Sequence, residues 1–449
     1  MYFAVPAVAP QGAGRVVARA AEAHDHRSIH RGNHSFRYHY YIEIRLDRPI
    51  GIGDNRVTKR AVSQPIALGQ NECYCFITDL AQPRNIIEEV VSMIRSITVI
   101  GGGGTGHTAA AFLTSKGFRV ALCDSGNFQR EMDDVNEQGG ILLRGRSGVV
   151  GFFTPALATT DHARALKDAE LILVCVPATR HEEAARAIAP HLRPGQHILL
   201  SPGNLGSFVF RRVFDEAGID PATNIIAELE GNLCPCRLSA KAEATVGLPI
   251  RTKKVAALPG SRTEEFIAFC EGVLEFVPNK NVFEGALLSD NYVLHIGTSL
   301  LSAATIEAMG EDFVLFQHGL SDAAIHCVEA IRQERIRLLA AFGLMERDSA
   351  TEFFEELRDW RNHPEYDVFR TLAGPDSLTH RYVAEDCYAC ASLALSCAHR
   401  VGVAMPTLES IMTLAGAVNQ RDYLSEGRTL ENLGFGQGRS MDEIVAAIS

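Results

Sequence analysis

Three glycines in the pattern Gly101-x-Gly103-x-x-Gly106 stand between a β-branched run at residues 97–100 and a helix-like run at 108–116. The pattern suits a dinucleotide. The first glycine permits a tight turn, the second lets a pyrophosphate approach the backbone, and the third lets helix and strand pack closely. The helix N-terminus then offers unpaired N–H groups and a partial positive charge to the phosphates. Asp124 closes the next predicted strand, at the spacing where an acid holds ribose hydroxyls. A carboxylate there repels a 2′-phosphate, so NAD is expected over NADP, with Ser125 and Arg130 nearby to soften the preference. Val176 and Pro177 close a later strand and are expected at the nicotinamide end. The competing reading is a glycine turn in some other α/β protein, with Pro177 an ordinary strand terminator.

Two further groups invite a metal reading. Cys387-x-x-Cys390 has the form of half a zinc or redox motif, but no second pair follows at metal spacing, and helical neighbours in a core is the reading adopted. His24, His26, His30, His34 and His39 are five of the sixteen histidines. They read as a metal-binding tract or, preferably, as part of a weakly structured extension. No metal is expected.

These residues need elements to hold them. From residue 97 strands and helices alternate: strands at 97–100, 118–123, 171–176 and 197–200, helices at 108–116, 163–169 and 182–191. Each parallel return needs a crossover, so the pattern predicts a doubly wound parallel sheet with ligands at the carboxyl ends of its strands. After about residue 276 the strands stop, and 287–307, 321–342, 351–358, 384–401 and 405–417 read as helices. Pro406 suits a first helical turn, and Ser440-Met441-Asp442-Glu443 is a capping-box sequence. The fold class is therefore α/β plus all-α. The expected division is a poorly structured N-terminal extension over 1–92, a Rossmann NAD(P)-binding domain over 93–275 and a helical catalytic domain over 276–449. Because Met93 directly precedes the first strand, the extension also reads as an upstream-start artefact or an arginine-bearing targeting segment without a clear apolar core.

Composition bounds the partners. A chain of 449 residues with 46% hydrophobic and 22% charged residues has the make-up of a folded globular protein. A net charge of −11 argues against nucleic acid, which asks for a basic patch. No apolar run approaches the roughly 18 residues of a membrane span. Eleven cysteines scattered in so long a chain are no disulfide scaffold and point to a reducing cytoplasm.

Four segments of the helical half carry a resemblance. They are Asn291-Tyr292-Val293-Leu294-His295 before a small-residue helix; Gly374-Pro375 with Arg381-Tyr382-Val383-Ala384-Glu385-Asp386; Gly402-Val403-Ala404-Met405-Pro406; and Gly427-Arg428-Thr429-Leu430-Glu431-Asn432-Leu433-Gly434. In that order they resemble the motifs of the NAD/NADP octopine/nopaline (opine) dehydrogenases, over roughly residues 93–436. The resemblance implies a helical domain of the opine dehydrogenase and 6-phosphogluconate dehydrogenase C-terminal type. It implies reductive condensation of an amino acid with a 2-oxo acid, through an imine, using NADH or NADPH. It makes His295 the general acid/base and Asp386 its partner, and likens Arg381 to the arginine that meets the pyrophosphate. Asn291, one turn before His295, and Arg237, in a Cys-Arg pair, are the substrate-side candidates. Imidazole titrates near neutral pH, and a carboxylate on its other nitrogen steadies the imidazolium. Taken singly, His295 reads as a core histidine, Asp386 as a helix-start acid, Arg381 as a surface ion pair and Asn291 as a bond within the bundle.

The chain departs from the family at Ile296, where proline is frequent, at Cys387-Tyr388, in place of Val-Pro, and at Leu233-Cys234-Pro235, in place of Pro-Tyr-Ala. All three surround the expected substrate pocket. The oligomeric state stays open, with a homodimer as one option. A 2-hydroxy acid or polyol-phosphate dehydrogenase on the same plan is the first alternative, disfavoured because the His295 helix carries no lysine. A non-catalytic NAD(P)-sensing protein is the second, disfavoured because both His295 and Asp386 are present.

Overall fold

A computed structural model describes residues 95–436 and 438–449, apart from the side chains of 447 and 448, together with the backbone of five short strands before residue 75. By its contacts the chain divides into two units, Met1–Ser92 and Met93–Ser449. In the first, Phe3–Ala7, Val16–Glu22 and Tyr40–Leu46 form an antiparallel sheet and Ile66–Ala67 pairs with Cys73–Tyr74. The five histidines read as a metal tract or extension lie outside the described residues.

The second unit begins with strand β1 (Ser96–Ile100), followed by β2 (Arg119–Cys123), β3 (Ile141–Gly145), β4 (Gly151–Phe153), β5 (Leu157–Thr159), β6 (Leu171–Val174), β7 (His197–Leu200), β8 (Ile226–Leu229), β9 (Cys236–Ala240), β10 (Glu243–Val246), β11 (Lys253–Leu258) and β12 (Phe276–Pro278). Eight of them make one sheet in the order β5-β2-β1-β6-β7-β8-β11-β12. The central strands are short β-branched and leucine runs buried along nearly their whole length, as expected of parallel strands covered on both faces. Two hydrophobic clusters supply those covers, and a third fills the helical half. The chain enters at β1, steps to β2 on one side and later to β6 on the other. The crevice at the carboxyl ends of β1 and β6 is therefore the topological switch point where ligands bind.

The sheet is not wholly parallel. β11 runs antiparallel to β8, because no crossover helix returns the chain between them. Instead it leaves to build a second sheet, β9-β10-β3-β4, which packs on the helix Gly104–Ser115. The hairpin β9–β10 and the strands β3, β4, β8 and β11 are too short and irregular in pattern to read from periodicity.

In the helical half two expected long helices are broken. The run 287–307 is four short pieces, Val282–Leu287, Asn291–Leu294, Ile296–Leu301 and Ala303–Met309. It is buried almost all round, so no amphipathic stripe marks the breaks. The run 384–401 begins as Arg381–Glu385, widens to a π-helical turn over Asp386–Ala391, and continues as Ser392–Val401, ended by Gly402 in the left-handed region. Cys387 and Cys390 are buried in the π turn. Among the described residues no cluster of metal-ligating side chains is found and no helix is long and apolar enough to cross a membrane. Ser321 caps the 20-residue helix Asp322–Ala341, and Ser440 with Glu443 closes a capping box on Met441–Ile448.

A chain starting at Met93 is expected to fold with the melting temperature of the second unit and to bind NADH as the full chain does. Thermal unfolding and NADH titration of both forms check this. An insoluble or non-binding product would make residues 1–92 part of the fold.

Candidate active site

The glycine loop sits at the switch point, and contact distances explain its composition. Gly101 lies against the end of the neighbouring strand's chain: a Cβ on it would come 3.0 Å from the Cys175 carbonyl carbon and oxygen. A Cβ on Gly106 would fall 1.7 Å from the Gly101 carbonyl oxygen. Around Gly103 nothing lies within 4 Å of such an atom, which leaves the open side a pyrophosphate needs. No side chain caps the helix Gly104–Ser115, so its first-turn N–H groups face that space. The residues present thus fit a dinucleotide.

Asp124 stands at the end of β2, as its spacing predicts, but its carboxylate is already engaged. It accepts from the Gly102 N–H at 2.6 Å and the Ser125 N–H at 2.7 Å. Arg180, from the turn after β6, reaches it at 2.8 Å. The same guanidinium donates to the Ser125 hydroxyl at 3.2 Å and lies 4.9 Å from the centre of the Phe128 ring. A carboxylate so compensated repels a 2′-phosphate less than a bare one. Arg180 was not legible in the sequence, because it comes from a different strand end, 56 residues along. Val176 packs its side chain into the hydrophobic cluster on one face of the sheet, and Pro177 starts the turn 178–180.

Beside the loop lies a cavity of about 300 Å³, reached from Thr105 in the first turn of the glycine-loop helix. His295, Asn291, Arg237 and Arg381 all line it. Asp386 lies behind: its Oδ2 is 2.8 Å from His295 Nδ1. The two residues, 91 apart in sequence, meet because each sits where its helix departs from regular winding. His295 occupies the joint between Asn291–Leu294 and Ile296–Leu301, and Asp386 opens the π turn. Tyr382 stacks on the imidazole at 3.8 Å between centroids and 14° between planes, which fixes the ring plane and leaves Nε2 toward the cavity side.

Burial pushes the Asp386 carboxyl up to about 8. Burial, helped by the charges of Arg381 and Arg237, holds His295 down to about 3. Through the neutral range the pair therefore carries one proton on the short Nδ1–Oδ2 contact, with both groups uncharged or as the ion pair that moving this proton creates. Among the described residues Asp386 Oδ1 has no hydrogen-bond partner, as suits a carboxyl whose charged form is disfavoured.

Further residues complete the site. Arg381 pairs with Glu385 at 3.1 Å, and Glu385 accepts the Ala178 N–H at 2.8 Å, tying this helix to the turn after β6. Arg237 donates to the Ala373 and Cys236 carbonyls and to the Tyr382 hydroxyl. The Cys236 thiol is brought down to about 6, chiefly by a hydrogen bond from Cys234. Arg428 is buried and donates to the carbonyls of Asn204 at 2.7 Å and Ala178 at 2.8 Å. Tyr382, Glu385 and Arg428 lie inside the quoted motifs, and the motif was the signal available for them.

Comparison with known proteins shows the family. Residues 278–419 match the family described as NAD/NADP octopine/nopaline dehydrogenase, alpha-helical domain, and residues 97–201 match ketopantoate reductase PanE/ApbA. The chain is 32% identical to the opine dehydrogenase of Arthrobacter sp. (strain 1C), over 76% of this chain and 96% of that one. It is 25% identical to the vitopine synthase of Allorhizobium ampelinum, over 72% and 89%. A structure of octopine dehydrogenase with NADH and L-arginine shares the fold at a TM-score of 0.57 and 18% identity, over 79% of this chain and 98% of that one. NADP⁺-bound yersinopine dehydrogenase does so at 0.50 and 15%, over 79% and 98%.

Removing Arg180 is expected to weaken NADPH binding about tenfold or more relative to NADH, the scale of one charge-assisted hydrogen bond. Fluorescence titration of Arg180→Ala with both nucleotides checks this. An equal loss for the two would restrict Arg180 to bracing the loop.

Proposed function

The chain belongs to the octopine/nopaline (opine) dehydrogenase family, and on that premise we propose that it condenses the amino group of an amino acid with the carbonyl of a 2-oxo acid and reduces the resulting imine with NADH or NADPH. As a member it is an NAD(P)-dependent oxidoreductase. The observation that carries the finer reading is the 2.8 Å contact of His295 with Asp386 at the wall of a cation-lined cavity. A structural histidine would not need Arg237, Arg381 and an adjoining glycine loop around it.

The residues divide the work as follows. Arg237 presents a guanidinium that suits a substrate carboxylate, and Arg381, which the family motif likens to the arginine on the pyrophosphate, lines the same cavity, where its planar fork suits that group or the second carboxylate. Asn291, one turn before His295, offers an amide to the same space. Condensation requires a base to take a proton from the incoming ammonium and an acid to hand one to the departing hydroxyl. With Asp386 protonated, His295 Nε2 bears a hydrogen and acts as the acid, giving it up while Nδ1 draws one from Asp386; the form this leaves, with a bare Nε2 and an Asp386 carboxylate, is the one that acts as the base and takes a proton from the ammonium. The carbinolamine C–O bond breaks, the hydroxyl leaves as water, and the C=N bond forms. When bound, the dinucleotide supplies the hydride that reduces that bond. Tyr382 keeps the imidazole in plane through these transfers, and Glu385 holds Arg381 in place.

Asn in place of Asp386 keeps the shape but cannot carry the proton. His295→Ala and Asp386→Asn are therefore each expected to retain NADH affinity and to lose turnover by about a hundred- to ten-thousand-fold. The double variant is expected to be little worse than the poorer single one, because the pair acts as a unit. Steady-state kinetics with circular dichroism as the folding control checks this. Wild-type turnover in His295→Ala would refute the mechanism.

The pH profile gives an independent check. A carboxyl raised to about 8 is protonated below that pH and loses its proton above it. The rate of the reductive direction is expected to fall as pH rises through about 8, and this limb is expected to be absent in Asp386→Asn. A limb that persists in the variant would assign it to another group.

A further inference from the structure

The apolar part of the cavity lining bears on the amino acid it accepts, and the inference rests on the reading of the site as one for reductive condensation. From His295 outward the lining passes to Phe316, whose ring is 6.4 Å from the imidazole, then to Phe369, 5.3 Å from Phe316, and to Phe353, 5.8 Å from Phe369. Leu248 and Leu372 lie beside them on the same cavity. Ring contacts link the three phenylalanines into one chain along this lining.

The charged side chains of the cavity are mostly cations, with the lowered Cys236 thiol beside them. Arg237, Arg381 and Lys253 line it, and Asp290 is the acid that does. Asp290 is bound to Arg335, a buried guanidinium that also pairs with Glu346. Glu385, behind Arg381, is turned to that arginine and to the Ala178 N–H. A guanidinium or ammonium side chain entering the cavity would meet three cations, and the carboxylate on the lining, Asp290, already pairs through Oδ1 with Arg335. An acidic side chain that reaches past the cations would face phenylalanine rings. Burying a charge without a partner is costly, whereas burying a methylene is favourable.

We propose that the amino acid taken by this site carries an apolar side chain, aliphatic or aromatic, seated against Phe316, Phe353 and Phe369. Selectivity then comes from the wall, and the arginines serve the carboxylates and pyrophosphate common to every reacting set.

The test follows NADH and NADPH absorbance with pyruvate and a series of amino acids: alanine, 2-aminobutyrate, leucine, phenylalanine, arginine, lysine and glutamate. kcat/KM is expected to rise about fourfold for each methylene buried between alanine and leucine, the factor that follows from the transfer free energy of a methylene. Arginine, lysine and glutamate are expected at least about a hundredfold below leucine. Phe353→Asp, at a half-buried position of the wall, is expected to lower kcat/KM for leucine and raise it for arginine, and Phe353→Leu to keep the wild-type order. Melting temperatures identify a variant that has simply lost its fold, and the wild-type series decides the question without either variant. A wild-type preference for arginine, lysine or glutamate overturns the apolar assignment and leaves reductive condensation standing. Turnover with no amino acid, while NADH still binds, overturns both.

Discussion

A carboxyl group pressed against an imidazole away from water is expensive unless the pair is held at hydrogen-bonding distance and stripped of competing partners. The contact between His295 and Asp386 meets that condition, and much of the helical half is arranged to meet it. One residue sits at a break between two short helices and the other at the start of a π-helical turn. Departures of this kind cost helix energy and occur at functional sites, where they redirect a side chain that regular winding would aim elsewhere. Tyr382 on the face of the imidazole and the apolar cluster behind Asp386 supply the desolvation that puts a single proton on the pair at neutral pH.

The pair is useful only beside a hydride donor, so the helical half must be fastened to the switch point of the sheet. Two buried charged residues do this through backbone groups. Glu385 accepts the N–H of Ala178. Arg428 donates to the carbonyls of Ala178 and Asn204. Both act on the turns that follow β6 and β7, at the carboxyl edge of the sheet. Using main-chain groups as partners satisfies the buried charges with dipoles that side-chain substitutions nearby leave in place. Glu228 completes the edge by accepting from Leu205 and Ser207.

Some of this was legible before any coordinates. The glycine spacing led to the switch point because the reasons for each glycine are local: a strand end, a helix start, and a carbonyl 1.7 Å from where a Cβ would be. Helix starts marked by Pro406 and the Ser440–Glu443 box were equally local. The helical motifs carried the family, which comparison then established at 32% identity. Where a segment carries no clear period, the reading failed, whereas the helices at 321–342 and 351–358 were read from theirs. The second sheet, the antiparallel strand β11 and the broken helix around His295 lie in segments that are short, or buried on all sides, and such segments carry no period.

What the sequence by itself determined is therefore what nearest neighbours along the chain enforce: the order of strands and helices, the dinucleotide loop, the caps and the family motifs. The tertiary structure alone decided which distant groups share a space. It put Arg180 on Asp124, changing the meaning of an acid whose position was correctly read. It put Asp386 on His295, Glu385 on Ala178, and three phenylalanines and two arginines on the lining of one cavity. The reason is physical. The proton affinity and selectivity of a group follow from burial and from charges within a few ångströms, and such neighbours come from strand ends and helices that packing, not sequence spacing, brings together.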